Sequence, residues 1–131
     1  MYNIMPIKSS QTLISEALKE IKTISPTEAL KLSNENNCNL IDIRDAVELQ
    51  REGSIKNSFH ISRGLLEFSV HPDSPYAQKV KLDPNKELVL FCAAGGRSAL
   101  AAKTLKEMGF EKVSHIEGGF AAMKDSGFET N

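Results

Sequence analysis

Long apolar runs are missing from this chain. The longest, Leu88 to Ala94, is seven residues, far short of the ~20 needed to cross a bilayer as a helix, so no membrane association is expected. A surplus of charge is missing too: 16 Lys and Arg against 17 Asp and Glu leave a net charge of −1, which gives no electrostatic reason to expect nucleic acid as a partner. The two cysteines, Cys38 and Cys92, allow at most one disulfide, and together with the three histidines they show no zinc-ligand spacing. No metal and no cofactor are expected, and a reducing cytoplasm is the default compartment. His60, His71 and His115 read as loop or packing residues rather than bases. Met1 to Ser10 lacks the basic segment and long apolar core of a secretory signal.

What is present suits one domain: 131 residues, 40% apolar and 25% charged, enough to bury a single core. Ser10 to Ile21 places Leu13, Ile14, Ala17, Leu18 and Ile21 at helical spacing, an amphipathic helix expected to cover the chain's own sheet. Ile21–Ile24 is a short strand. Ser25-Pro26-Thr27-Glu28 combines an N-cap, a proline at N1 and a capping-box glutamate, so a helix is expected from Pro26 to about Ser33. Asn34–Asn39 reads as a polar loop, Leu40–Arg44 as a buried strand and Asp45–Glu52 as a helix. Lys56-Asn57 offers a turn in which the asparagine takes a left-handed conformation. Further strands are expected near residues 59, 88 and 113. The helix after Arg97 should turn Leu100, Thr104, Leu105 and Met108 to one face and stop at Gly109. A final short helix is expected over Ala121–Ser126. The alternation predicts an α/β fold, a small twisted parallel sheet flanked by helices on both faces.

The chemistry concentrates in Cys92-Ala93-Ala94-Gly95-Gly96-Arg97-Ser98. The preceding run, Leu88–Phe91, suits a strand covered on both faces, and the Ala/Leu/Lys run after Arg97 suits a helix. Cys92 therefore sits at a strand's carboxyl end, where α/β sheets bind ligands. A small-residue loop there lets successive N–H groups turn inward as an anion nest above the helix start. Oriented amides, the helix dipole and the Arg97 guanidinium all favour a thiolate. Cys92 is thus the expected nucleophile, with a thiol in the depressed range of roughly 3.5–7.5, whereas Cys38, with no glycine nest beside it, should stay near ~8.5. The bland alternative is a small apolar residue closing a core strand, which would need neither the glycine pair nor the arginine.

This loop resembles the active-site loop of single-domain, bacterial-type rhodaneses, the thiosulfate sulfurtransferases, with four residues between Cys92 and Arg97. Related phosphatases and arsenate reductases carry a loop one residue longer, suited to phosphate. Ile41-Asp42-Ile43-Arg44 through Glu48 resembles the rhodanese segment in which an aspartate and arginine follow the first core strand and a glutamate follows in the helix. Glu117-Gly118-Gly119-Phe120 resembles the family's Glu-Gly-Gly before its last helix. Ser62–Phe68 resembles an Arg-Gly-x-Leu-Glu-Phe segment of some bacterial members. The resemblance weakens at Gly53–Ile61, which keeps only Gly53 and Ile55 of the usual pattern, and Met123 stands where tryptophan is usual.

What the resemblance implies is a rhodanese-like domain over 23–131, preceded by an N-terminal extension over 1–22 carrying the amphipathic helix. It implies sulfane-sulfur transfer from thiosulfate or a similar small donor, through a persulfide on Cys92, to a thiol, cyanide or a protein acceptor. Ala93, Ala94, Gly95, Gly96, Arg97 and Ser98 would bind the anionic substrate, and Arg63 would sit near the mouth. Asp42, Arg44 and Glu48 would support the loop, with the Asp42–Arg44 pair equally readable as a tie from strand to helix. Two rivals stand beside this: a phosphatase or arsenate reductase of related fold, and a non-catalytic binding module that keeps the fold.

Overall fold

A sheet of five parallel strands, lying side by side in the order Lys22–Ile24, Val113–Ile116, Glu87–Phe91, Cys38–Asp42 and Phe59–His60, organises the chain. The computed structural model describes residues 6–131; the first half of the Met1–Ser10 segment lies outside them. In chain order the elements are α1 (Ser10–Leu18), β1 (Lys22–Ile24), α2 (Pro26–Asn34), β2 (Cys38–Asp42), α3 (Ala46–Glu52) and β3 (Phe59–His60). A 3-10 turn (Arg63–Leu65) leads into α4 (Leu66–Val70), and a second one (Ala77–Lys79) precedes β4 (Glu87–Phe91). The chain ends with α5 (Gly96–Met108), β5 (Val113–Ile116) and α6 (Gly119–Asp125).

Both faces of the sheet are covered, as the apolar runs require. Along β4 and the residue after it, Leu88, Leu90 and Cys92 face a core shared with Leu66, Ala101, Ala102 and Leu105, whereas Val89 and Phe91 face one shared with Ala29, Phe120 and Met123. The chain crosses the sheet in one direction from β1 to β3 and returns in the other from β3 to β5. Right-handed crossovers then put α2 on one face and α4 and α5 on the other. The loops leaving the adjacent strands β2 and β4 consequently depart to opposite sides, opening a crevice at their carboxyl ends.

Local signals behave as their chemistry dictates. Ser25 caps α2, accepting from Glu28 N at 3.1 Å while Glu28 reaches back to Ser25. Gly109 ends α5 at φ +109, with Phe110 N–H returning to the Leu105 carbonyl at 3.1 Å. Asn57 takes φ +67 in the turn after Ile55.

Three expectations need correction. β2 begins at Cys38 rather than Leu40, because Asn39 uses its amide as backbone would. It donates to the Asp83 carbonyl at 2.8 Å and accepts from Asp83 N at 2.9 Å, pinning the turn before β4. Helix α1 packs on α5 rather than on the sheet. The buried face of α5 is Ser98, Ala99, Ala101, Ala102 and Leu105, while Met108 is 41% exposed. A helix held between a sheet and another helix needs close approach, and alanines supply it where larger side chains would not.

Enlarging that face tests the packing. Ala102→Leu should destabilise by about 1–3 kcal/mol through overpacking, whereas Met108→Ala should change stability by less than about 0.5 kcal/mol. Urea unfolding of the two variants separates these outcomes.

Candidate active site

Two glycines set the path of the chain after β4. Gly95 precedes α5 at φ +110, a left-handed conformation that L side chains rarely adopt. Gly119, at φ +59, lies directly beneath the loop: a Cβ there would collide with the Cys92 carbonyl oxygen and stand 2.7 Å from the Ala93 carbonyl. With no Cβ in the way, Phe120 N–H donates to the Cys92 carbonyl at 2.8 Å. That carbonyl is held away, and the next amides along the loop turn to the sulfur. Gly95 N lies 3.2 Å and Ser98 N 3.4 Å from Sγ, and Ser98 Oγ lies 3.6 Å from it.

Cys92 is 1% exposed. Burial pushes its thiol up, but the Ser98 hydroxyl and the amides of Ser98, Gly95 and Ala94 outweigh it and hold the thiol below its ordinary value. Cys38 moves the other way. Burial, with the Glu87 carboxylate beside it, pushes its thiol up to about 11, so the expectation of an unperturbed Cys38 is corrected. Its place in β2 rather than in a loop is the cause.

The Arg97 guanidinium grips Glu48 through two bonds, Nη1–Oε2 at 2.8 Å and Nη2–Oε1 at 2.9 Å. The Arg97 bond holds Glu48 down to about 2, and Glu48 in turn raises Arg97. A bidentate pair of this kind fixes orientation but leaves little free positive charge. Of the three influences expected at the thiol, the oriented amides act as hydrogen-bond donors to the sulfur, joined by the Ser98 hydroxyl, while the Arg97 charge is largely met by Glu48. Glu48 Oε2 also accepts from Asp45 N at 2.8 Å, tying the start of α3 to the start of α5.

Asp42 and Arg44, at the end of β2, are both fully buried. Arg44 Nε lies 3.0 Å from Asp42 Oδ1 and Nη2 lies 2.8 Å from Oδ2, and Nη2 also donates to the Gly53 carbonyl at 2.9 Å. The guanidinium stacks 3.9 Å from the Phe120 ring centre, and Phe120 is the residue whose N–H holds the Cys92 carbonyl. The pair thus ties strand to helix and also braces the loop. The Arg63 backbone N–H donates to the Ile43 carbonyl at 3.0 Å, between Asp42 and Arg44, while its side chain binds Glu67 Oε1 at 2.6 Å and reaches Thr104 Oγ1 at 3.4 Å. Along the loop Ala94 is exposed, Ala93, Gly96 and Arg97 are half-buried, and Gly95 and Ser98 are buried.

Sequence reasoning missed His115. It stands on β5 behind the loop, with Nδ1 2.9 Å from Ser98 Oγ and Nε2 2.9 Å from Thr23 Oγ1 of β1. Its position inside the strand run before Glu117-Gly118-Gly119, two residues after the inward Val113, is the signal that could have turned it toward the loop.

The Rhodanese-like domain family matches residues 25–126. The chain belongs to the rhodanese-like family. It is 36% identical over 105 residues to "Putative sulfurtransferase YtwF" of Bacillus subtilis, covering 80% of this chain and 89% of that one. The solved polysulfide-sulfur transferase homodimer of Wolinella succinogenes is 39% identical with a TM-score of 0.70, covering 90% of this rhodanese-like chain and 83% of its own. A protein of unknown function from Rhodopseudomonas palustris, described as a "Possible Tyrosine Phosphatase", is 38% identical with a TM-score of 0.83 and full coverage of both chains. Sulfurtransferases thus stand among the relatives of this rhodanese-like protein. Among its described residues no helix is long and apolar enough to cross a membrane.

Two measurements test the electrostatics. Peptide-resolved iodoacetamide labelling should give Cys92 a lower apparent pKa than Cys38, so that at pH 7 Cys92 reacts first by at least about tenfold; equal rates would disprove the donor ring. For Glu48, a folded pKa of about 2 against an unfolded ~4.3 means its stabilisation is full above ~4.5 and is lost as pH falls toward 2. Melting temperature should therefore fall less steeply across that window in Glu48→Gln than in the wild type.

Proposed function

We propose that this rhodanese-like protein is a sulfurtransferase that carries a sulfane sulfur on Cys92. The observation behind the reading is the ring of donors at the sulfur, Gly95 N at 3.2 Å and Ser98 N at 3.4 Å, which favours a thiolate without any base. In the first half-reaction the Cys92 thiolate attacks the outer sulfur of thiosulfate or a polysulfide. A Cys92 S–S bond forms, the donor's S–S bond breaks, and sulfite or the shortened polysulfide leaves with the electron pair. In the second, a thiolate or cyanide attacks the outer sulfur of the persulfide, and its S–S bond returns the pair to Cys92.

The loop from Ala93 to Ser98 receives the charge that moves between these anions, its amides fixed in advance so that no reorganisation is required. Arg97 acts by holding the loop through Glu48, and the Asp42–Arg44 pair by holding Phe120. Arg63, engaged with Glu67, has at most a peripheral effect on anions. Small molecules and a protein thiol are both compatible acceptors, and a cytoplasmic setting fits a free, ionised thiol.

The description of the Rhodopseudomonas relative favours a second reading, phosphate ester hydrolysis. Loop size weighs against it. A phosphoryl group presents several oxygens that each need a donor, whereas a sulfane sulfur presents one atom, and four residues between Cys92 and Arg97 make the smaller cup. A pure binding module would have no use for a lowered thiol.

Cys92→Ser should abolish transfer of sulfur from thiosulfate to cyanide without altering the fold, and wild-type protein exposed to thiosulfate should gain one sulfur atom on the Cys92 peptide by mass spectrometry. Arg97→Ala should cost about 10–100-fold in kcat/KM by loosening the loop, against less than about threefold for Arg63→Ala. Full activity in Cys92→Ser, or p-nitrophenyl phosphate hydrolysis that matches sulfur transfer and depends on Cys92, would overturn the reading.

A further inference from the structure

The Ser98 hydroxyl has one hydrogen and three candidate acceptors: Cys92 Sγ at 3.6 Å, the Gly95 carbonyl at 3.2 Å and His115 Nδ1 at 2.9 Å. Which one receives it depends on His115. If Nδ1 carries the imidazole proton, it donates to Ser98 Oγ and leaves the Ser98 hydrogen for the sulfur. If Nε2 carries it, Nδ1 becomes an acceptor and draws that hydrogen away. The far nitrogen meets Thr23 Oγ1 at 2.9 Å, on the edge strand β1, where Thr23 is exposed.

We propose that His115 is a positioning residue for Cys92, and that Thr23, His115 and Ser98 form one directional hydrogen-bond chain ending at the thiolate. In the ionised state every link points inward: Thr23 O–H to Nε2, Nδ1–H to Ser98 Oγ, and Ser98 O–H to Sγ. Reversing the links moves one proton out to solvent, leaving the negative charge on Sγ and none on Ser98, His115 or Thr23. The thiol proton passes to Ser98 Oγ, the Ser98 proton to Nδ1, the Nε2 proton to Thr23, and one proton leaves Thr23 for water. A thiol that is 1% exposed thereby gains a route to solvent on the side away from its substrates.

The fold builds this chain from three elements. Thr23 and His115 are paired across the parallel strands β1 and β5, and Ser98 is in the first turn of α5. The charges that bear on the sulfur are Arg97 and, paired to it, Glu48. Burial alone pushes His115 down to about 4, so it stays neutral and has a tautomer to choose.

The inference rests on Cys92 being the reactive thiol, but its tests need no sulfur transfer, so failure of the sulfurtransferase reading is told apart from failure of the chain. The readout is the apparent pKa of Cys92 from alkylation rate against pH. His115→Leu should raise it by about one unit, a tenfold slower reaction at acid pH. His115→Asn, whose amide can donate to Ser98 from the Nδ1 position, should stay close to the wild type. Ser98→Ala should raise the pKa at least as far as His115→Leu, and the double variant no further than Ser98→Ala, because His115 acts through Ser98. Thr23→Val, on an exposed edge, avoids any question of folding and should shift the pKa upward by a smaller amount. In unmodified protein, nitrogen-15 NMR should find His115 as the Nδ1–H tautomer above the pKa of Cys92. An Nε2–H tautomer there, unchanged Cys92 pKa values in Thr23→Val and His115→Leu, or additive shifts in the double variant would each overturn the proposal.

Discussion

The hydrogen bond from Phe120 N–H to the Cys92 carbonyl, 2.8 Å long, is the constraint on which the site depends. A peptide has a donor side and an acceptor side, and fixing one fixes the direction of the other. The bond fixes the Cys92–Ala93 peptide, from which the loop sets out, and further along it the amides of Gly95 and Ser98 face the sulfur at 3.2 and 3.4 Å. That bond exists because Gly119 has no Cβ to collide with the Cys92–Ala93 peptide. The anion nest is thus formed by contact between two loops, and neither loop would shape it alone.

Two ion pairs, Arg44–Asp42 and Arg97–Glu48, flank that contact. Arg44 is wholly buried, and its cost in lost hydration is offset by Asp42, the Gly53 carbonyl and the face of Phe120. Its Nη1 lies 3.7 Å from Glu52 without a hydrogen bond, so the guanidinium is anchored chiefly on the Asp42 and Phe120 sides. Removing Asp42 would strand a buried cation next to the residue that positions Cys92. Arg97 and Glu48 form the second pair at the surface, joining the first turns of α3 and α5 on either side of the crevice. In consequence the sulfur is surrounded by dipoles rather than by a free cation, an arrangement that favours its thiolate without committing it to a fixed counter-ion.

Much of this was legible in the residues, and the reasons are local. The glycines at 95, 109 and 119 mark places where φ or close approach admits little else, and Ser25-Pro26 with Glu28 announces a helix start by its own chemistry. Cys92 stood out because its neighbours are small and because an arginine follows at a fixed distance. The features that escaped depend on tertiary distance. Asn39 and Cys38 were read as loop because polar residues imply exposure, yet Asn39 is buried by bonds to a turn 44 residues away. The face of α5 was misassigned because size was weighed above closeness, and alanines carry little periodic signal. The contacts of His115 escaped because its partners, Ser98 and Thr23, lie 17 and 92 residues away, and its alternation with Val113 gives only the face it turns to.

The N-terminal helix shows the same limit from another side. Its apolar spacing foretold a covered face, yet what it covers is the helix that presents the loop. Ile14 Cδ1 lies only 3.0 Å from where a Cβ on Gly96 would be, so the second glycine of the loop is set by a neighbour outside the family-matched residues 25–126 as well as by the loop itself. A larger residue at 96 would push on α1 before it disturbed the sulfur. The start of α5 is therefore held from three directions: by Ile14 on its outer side, by Glu48 across the crevice, and by His115 through Ser98 from the sheet beneath. A helix N-terminus fixed in this way presents its amides with little freedom to relax, and a dipole that cannot relax stabilises an anion without the cost of first being ordered.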